Sequence, residues 1–273
     1  MKIKKIKLLA GAMIIAMIGA VFTGCGNNST SNDGTVTITV SGSTSVGPLM
    51  EKIAEKYEEE NSNISIEINQ TGSSAGIKDA MDGISQIGMS SRDLKDEEAA
   101  KVKATVLAYD GVAVITNTGN SVKELTIGQI RDIFTGKITN WSEVGGSNAS
   151  IVVVSREAGS GTRTAFEEGV GYSEEELVKD AIISKGNGDV KTTVSTNENA
   201  IGFVSFEYVD DAISSINVNG IEPTAANVKA GSYALSRPFL AVTNEQYITE
   251  DSQKLIDYIT SEIVEDNKLI TID

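Results

Sequence analysis

The chain has 273 residues, 40% of them hydrophobic and 22% charged, with 26 glycines, three prolines and one tryptophan. That is enough for one large domain or two modest ones, and it excludes collagenous, low-complexity and extensively disordered architectures. A formal charge of −15 argues against a nucleic-acid partner, and the absence of histidine removes Ser-His-Asp and Cys-His catalysis and most zinc sites.

Residues 1–24 read as a secretory signal rather than a spanning helix. Lys2, Lys4, Lys5 and Lys7 precede a short apolar core, Leu8 to Phe22, and small residues follow. Cys25, the only cysteine, stands where a bacterial lipobox would place it, which implies cleavage before it and lipid attachment to its sulfur. A plain signal peptide is the alternative, because Phe22 and Thr23 are imperfect lipobox residues. With one cysteine, no intrachain disulfide forms. Residues 25–34 are small and polar, as a flexible tether would be.

Thr35 to Val40 alternates as a first strand and runs into Gly42-Ser43-Thr44-Ser45. A helix follows with Leu49, Met50, Ile53, Ala54 and Tyr57 on one face. Asn63 to Gln70 is a second strand, and Thr71-Gly72-Ser73-Ser74 opens a second helix carrying Ile77, Ala80 and Met81. Gln86 to Met89 is a short strand ending at Ser90-Ser91-Arg92, after which Asp93 or Asp96 is expected to cap an acidic helix. Lys103 to Ala108 and Val112 to Thr116 read as separate strands, with a change of domain around Tyr109-Asp110-Gly111.

Thr126 caps a helix to Phe134, with Gly136 past its end. Ile151 to Val154 is a strand leading into Ser155-Arg156-Glu157-Ala158-Gly159-Ser160-Gly161-Thr162-Arg163 and another helix. Ser173 is expected to cap a helix ending near Ala181, and Asp189 to Ser195 is helical. Ile201 to Ser205 is a strand, Val218 to Ile221 carries a hairpin signature, and Thr224 starts a short helix. Ser236-Arg237-Pro238 leads into strand Phe239 to Thr243, and Thr249 to Ile259 is an amphipathic closing helix. The alternation predicts an α/β architecture with ligands at strand carboxyl ends.

The chemistry lies in the turns. Gly159 and Gly161 allow close backbone approach, and Ser160 and Thr162 supply hydroxyls at a helix start, whose free N–H groups favour an anion. Arg156 adds a planar fork of donors. The ordinary alternative for each Ser/Thr loop is helix capping. What distinguishes this chain is the repetition of the device after successive strands. The stretch is neither a Walker A loop nor a nucleophile elbow, and no carboxylate pair stands out as catalytic. No enzyme activity, cofactor or metal is expected.

Gly42 to Ser45, Thr71 to Ser74, Gly88 to Arg92, Ser155 to Arg163, Asn199-Ala200-Ile201-Gly202-Phe203 and Ser236-Arg237-Pro238 together resemble the phosphate-binding proteins of bacterial phosphate ABC transporters. The resemblance covers nearly all of residues 35–273. It implies a two-lobed, type II periplasmic-binding-protein-like α/β fold with two crossing strands. Lobe 1 would comprise residues 35–109 and 238–273, and lobe 2 residues 110–237. It further implies a monomeric, lipid-anchored receptor on the extracytoplasmic face of the cell membrane, delivering inorganic phosphate to permease subunits. By matching position, Ser43, Thr44, Ser45, Ser73 and Ser91 would bind from lobe 1, and Arg156, Ser160, Gly161 and Thr162 from lobe 2. Many members carry Asp where this chain has Ser91, and that Asp accepts the proton of hydrogen phosphate. A receptor for sulfate or molybdate is therefore the rival reading, and a secreted hydrolase a more distant one. Glu157 is expected either to orient Arg156 or to be a solvated acid.

Overall fold

The computed structural model describes residues 34–262. The signal peptide, Cys25 and nearly all of the tether lie outside the described residues, as do residues 263–273. In chain order the elements are β1 (Val36–Gly42), α1 (Gly47–Glu60), β2 (Ile64–Asn69), α2 (Ser73–Asp82), β3 (Ile87–Ser90), α3 (Asp96–Ala99), β4 (Lys103–Asn117) and β5 (Glu124–Leu125). There follow α4 (Ile127–Phe134), β6 (Val152–Arg156), α5 (Gly161–Val170), β7 (Ile182–Ser184), α6 (Gly186–Ser195), β8 (Ala200–Ser205), β9 (Ile213–Ser215), β10 (Asn217–Val218), α7 (Ala225–Lys229), β11 (Ser236–Thr243) and α8 (Glu250–Glu262).

The main sheet has the order β2-β1-β3-β11-β4-β8-β6-β7, with β9 also paired to β4. It divides into two lobes along β4. Residues 103–111 of that strand pair antiparallel with β11, whereas Val112 to Thr116 pair with β8. Leu107 and Ala108 belong to one core cluster with Ile38, Met50, Phe239 and Ile256. Val112 belongs to another with Phe134, Phe166, Phe203 and Tyr233. The return crossing runs through Leu235, buried in the second cluster, to Phe239, buried in the first. It is fastened to β4 by Val112 N donating to Leu235 O at 2.7 Å and Tyr233 OH donating to Val112 O at 2.9 Å.

Helices cover both faces of each half, as half-parallel sheets of apolar strands require. In lobe 1, α1 and α8 cover one face and Ile77 and Ala80 of α2 the other. In lobe 2, α4 and α5 bury Ile130, Ile133 and Phe166 on one face, and α6 buries Val190 and Val194 on the other. Local signals set the ends: Thr126 Oγ1 accepts from Gln129 N at 3.2 Å while Gln129 Oε1 accepts from Thr126 N at 2.9 Å, a reciprocal cap that starts α4.

Several expectations are corrected. The two strands expected at 103–108 and 112–116 are one strand, because β11 and then β8 keep its ladder paired through Gly111. The helix expected from Ser173 to Ala181 is a single 3-10 turn, Glu174–Glu176. Leu177 instead turns into the core, and Val178 N donates to Phe134 O at 2.9 Å. Neither Asp93 nor Asp96 caps α3; the N-cap is Lys95, and Glu98 reaches back to its N–H at 2.9 Å. Strand β7 was not expected. At the hairpin signature, Asn219 (φ 52°) and Gly220 (φ 78°) make a tight left-handed turn closed by Val218 and Ile221.

Candidate functional site

Five strand-to-helix turns, three from lobe 1 and two from lobe 2, meet where the sheet changes partners. In lobe 1 the turn after β1 is closed by Ser43, whose Oγ accepts from the N–H groups of Ser45 (3.1 Å) and Val46 (3.3 Å). The Ser43 hydroxyl donates to Ser91 Oγ at 2.9 Å. Ser91 N donates to Ser73 Oγ at 3.1 Å, and the Ser73 and Ser91 oxygens stand 3.3 Å apart. Three loops distant in sequence are thus joined by hydroxyls that are all at least 98% buried.

Lobe 2 supplies Arg156 from the end of β6 and the first turn of α5. Ser160 caps that helix, its Oγ accepting from Arg163 N at 3.3 Å. The N–H groups of Gly161 and Thr162 precede the first helical turn that could accept from them. Contacts cross between lobes throughout: Thr162 Oγ1 lies 2.9 Å from Ser45 Oγ, Arg156 Nη2 donates to Thr44 Oγ1 at 3.3 Å, and Ser74 N donates to Gly159 O at 3.1 Å. Gly161 makes this approach feasible, since a Cβ there would sit 2.2 Å from Ser73 Oγ and 2.8 Å from Ser91 Oγ. The structure therefore brings Ser43, Thr44, Ser45, Ser73, Ser91, Arg156, Ser160, Gly161 and Thr162 into one neighbourhood. Ser43 and Ser160 hold turns there through their oxygens.

Arg156 is 1% exposed. Its Nε donates to Glu157 Oε2 and its Nη2 to Glu157 Oε1, each at 2.8 Å. Glu157 thus orients the arginine. Burial opposes the charge of Glu157, but the Arg156 hydrogen bonds and charge, with backbone N–H groups including that of Gly186, hold its carboxyl below the usual range. Arg156 Nη1 is buried and has no protein acceptor. A buried guanidinium N–H left unpaired costs free energy, so this atom marks where an acceptor of negative charge belongs.

A second guanidinium was not assigned to the site from sequence. Arg237, 3% exposed, enters on β11 and donates from Nε (3.1 Å) and Nη2 (2.8 Å) to Asp110 Oδ2 on β4. Asp110 also accepts from Ser205 Oγ at 2.9 Å. Burial pushes the Asp110 carboxyl up and the Arg237 guanidinium down, and their mutual attraction opposes both shifts. Arg237 Nη2 also donates to Ser45 Oγ at 3.0 Å, and Nη1 to Ser91 O and Oγ at 3.4 and 3.3 Å. Two further arginines are buried and paired nearby: Arg163 with Glu167, its Nη1 holding Arg156 O at 3.1 Å, and Arg92 with Glu98, its Nη2 reaching Ser74 Oγ at 3.2 Å. Each buried arginine has its own carboxylate, so the site offers directed donors with little net charge.

Asn187 and Tyr208 were also missed. Asn187 Nδ2 donates to Ser45 Oγ at 3.0 Å, and Tyr208 OH donates to Thr44 O at 3.0 Å. Asn187 lies in the first turn of α6 behind Gly186, so Ile182 to Asn187 repeats the strand–turn–helix device; the three-residue strand β7 was too short to be read. Among the described residues, no group of three or more His, Cys, Asp or Glu side chains is placed to hold a metal, and no helix is long and apolar enough to cross a membrane.

Known proteins resemble this chain in sequence and in fold. The profile of the PBP superfamily domain matches residues 27–262. The phosphate-binding protein PstS of Bacillus subtilis (strain 168) is 30% identical over 277 residues, covering 97% of this chain and 91% of its own length. That of Borreliella burgdorferi is 29% identical, covering 93% and 95%. Among solved structures, a putative phosphate ABC transporter substrate-binding protein from Clostridium perfringens, with bound phosphate, is 55% identical. It superposes with a TM-score of 0.84 over 87% of this chain and 100% of its own. An ABC-type phosphate transport receptor from Vibrio cholerae is 35% identical with a TM-score of 0.73, over 86% and 100%.

Proposed function

The chain belongs to the PstS phosphate-binding proteins of the PBP superfamily, and from that premise we infer that it captures inorganic phosphate between its lobes and delivers it to an ABC permease. The observation that carries the assignment of the site is the orphaned Nη1 of Arg156, on a guanidinium fixed by Glu157 and Thr44 where the two lobes touch. A tetrahedral oxyanion supplies the missing acceptor. Around it stand Thr44, Ser45, Ser73, Ser91 and Thr162 as hydroxyl neighbours and the first turn of α5 as a source of N–H groups.

Closure replaces water around the anion with fixed donors, and the continuous pairing of β4 with both lobes guides the motion. Micromolar binding needs about 8 kcal/mol net, the surplus of many charge-assisted hydrogen bonds over desolvation and closure. The roles of Ser43 and Ser160 in this scheme are to shape the two helix-start turns. Cys25 is the proposed point of lipid attachment, which would hold a monomeric receptor at the extracytoplasmic membrane surface. The reading assigns no catalytic step to the chain, in keeping with relatives named as binding proteins.

Calorimetric titration of the mature chain with inorganic phosphate tests the assignment. Saturable one-to-one binding is expected, and no heat or shift in melting temperature at millimolar phosphate would refute it. A second reading, a receptor for another tetrahedral oxyanion, is favoured by one observation: Ser91 brings a hydroxyl, not a carboxylate, to its place between Ser43 and Ser73. Parallel titration with sulfate and molybdate separates the two readings.

A further inference from the structure

We propose that Arg237 is a positioning residue that fixes the direction in which the site's hydroxyl protons point, acting through Ser45 on Thr162 without touching it. The proposal rests on the phosphate-binding reading and extends it to the hydrogen-bond polarity of the cleft. A serine hydroxyl has one proton to give and lone pairs to receive, so two donors aimed at its oxygen force its own proton elsewhere.

Ser45 Oγ receives Arg237 Nη2 and Asn187 Nδ2, each at 3.0 Å. Arg237 can only donate. The Asn187 amide cannot be turned round, because its Oδ1 accepts from Ser205 N at 3.1 Å. The Ser45 proton is therefore directed to its remaining protein neighbour, Thr162 Oγ1, at 2.9 Å. Thr162, having received it, keeps its own proton for a ligand.

Arg237 Nη1 acts in the same sense on Ser91 Oγ, which also receives the Ser43 hydroxyl. Ser43 has no freedom to reverse, since its oxygen already takes the N–H groups of Ser45 and Val46. The Ser91 proton then points to Ser73 or to the ligand. In the first case Ser73, whose oxygen also takes Ser91 N–H, passes its own proton on. Either way this branch ends, like the Ser45 branch, in a donor. The guanidinium that sets both directions is anchored to Asp110 on the crossing strand, and Asp110 is held in turn by Ser205 of lobe 2. Hydroxyl order and lobe position are thereby linked at one residue.

The test is a double-mutant cycle on phosphate affinity, read by calorimetry with inorganic phosphate on the full mature chain. Arg237→Gln and Thr162→Val should each weaken binding by about tenfold, the cost of a lost or misdirected hydrogen bond to a charged group. Together they should weaken it by less than the product, because on the Ser45 branch both remove the same donor. In a Ser45→Ala background the two effects should become independent. A merely structural Arg237 gives multiplicative losses in both backgrounds, and that result overturns the proposal. If Arg237→Gln does not fold, Asn187→Ala replaces it in the same cycle with the same expectation. Multiplicative losses with wild-type phosphate binding intact overturn this inference alone, whereas a wild-type chain that binds no phosphate overturns the function as well.

Discussion

Replacement of Arg156 by alanine should weaken phosphate binding by two to three powers of ten. The side chain is 1% exposed, its orientation is set by two 2.8 Å bonds to Glu157, and its Nη1 is a buried donor with no protein partner. Truncation removes one or two charge-assisted bonds to the anion, each worth about 1.5–3 kcal/mol. It also strips Glu157 of its counter-charge and leaves a half-buried carboxylate facing the cleft. A loss of about 3–4 kcal/mol follows, at about 1.4 kcal/mol per tenfold in Kd. Arg156→Lys keeps the charge without the fork and should recover part of the loss. Arg156→Met combined with Glu157→Gln should bind better than Arg156→Met alone, because the stranded carboxylate is removed. Calorimetry with inorganic phosphate measures all four, with a thermal melt of the unliganded proteins as control. An Arg156→Ala variant that melts normally and binds within threefold of wild type would refute the argument.

Gly161→Ala should weaken phosphate binding at least tenfold while leaving the melting temperature of the unliganded protein nearly unchanged, because the added methyl meets Ser73 across the lobe boundary; equal affinity by calorimetry would contradict this. Ser91→Asp should widen the preference for phosphate over sulfate, since a carboxylate accepts the proton that sulfate lacks and repels a fully deprotonated anion; competition titrations at fixed pH report it. The hydrogen bonds of Arg92 hold the Glu98 carboxyl below its ordinary range. That lowered value contributes stability above the unfolded carboxylate pKa and loses it as pH falls through the folded one. Glu98→Gln should therefore flatten the acid side of a melting-temperature profile below about pH 4.5 and cost stability at pH 7.

The fold was legible wherever a long periodic segment carried its own punctuation. Thr126 with Gln129 and Gly136, Ser160 ahead of α5, and Thr224 ahead of α7 are local devices whose partners lie within four residues. What escaped depends on contacts distant in sequence. The Ser173 segment has a capping serine and three acids, yet Leu177 and Val178 gain more by entering the core beside Phe134 than by continuing a helix. Repeated Ser/Thr/Gly turns marked four places where the site could form, and these four turns meet. Arg237 stood in the sequence only within the Ser236-Arg237-Pro238 landmark, with no role in the site attached to it. Its partners Asp110, Ser45 and Ser91 are 127, 192 and 146 residues away, and no spacing rule announces pairings over such intervals.

The matching of each buried arginine with its own acid has a kinetic side. With every buried guanidinium near the cleft already paired with a carboxylate, these arginines do little to offset the field of the chain, whose 38 acidic residues outnumber the 19 basic ones left once Lys2, Lys4, Lys5 and Lys7 are removed with the signal, and an approaching dianion climbs an electrostatic hill. Dissolved salt lowers that hill within a Debye length of about 8 Å at physiological strength, but it hardly reaches groups shielded from solvent. Stopped-flow capture rates should accordingly rise with ionic strength while release rates stay nearly constant, the reverse of what a positively charged trap would do.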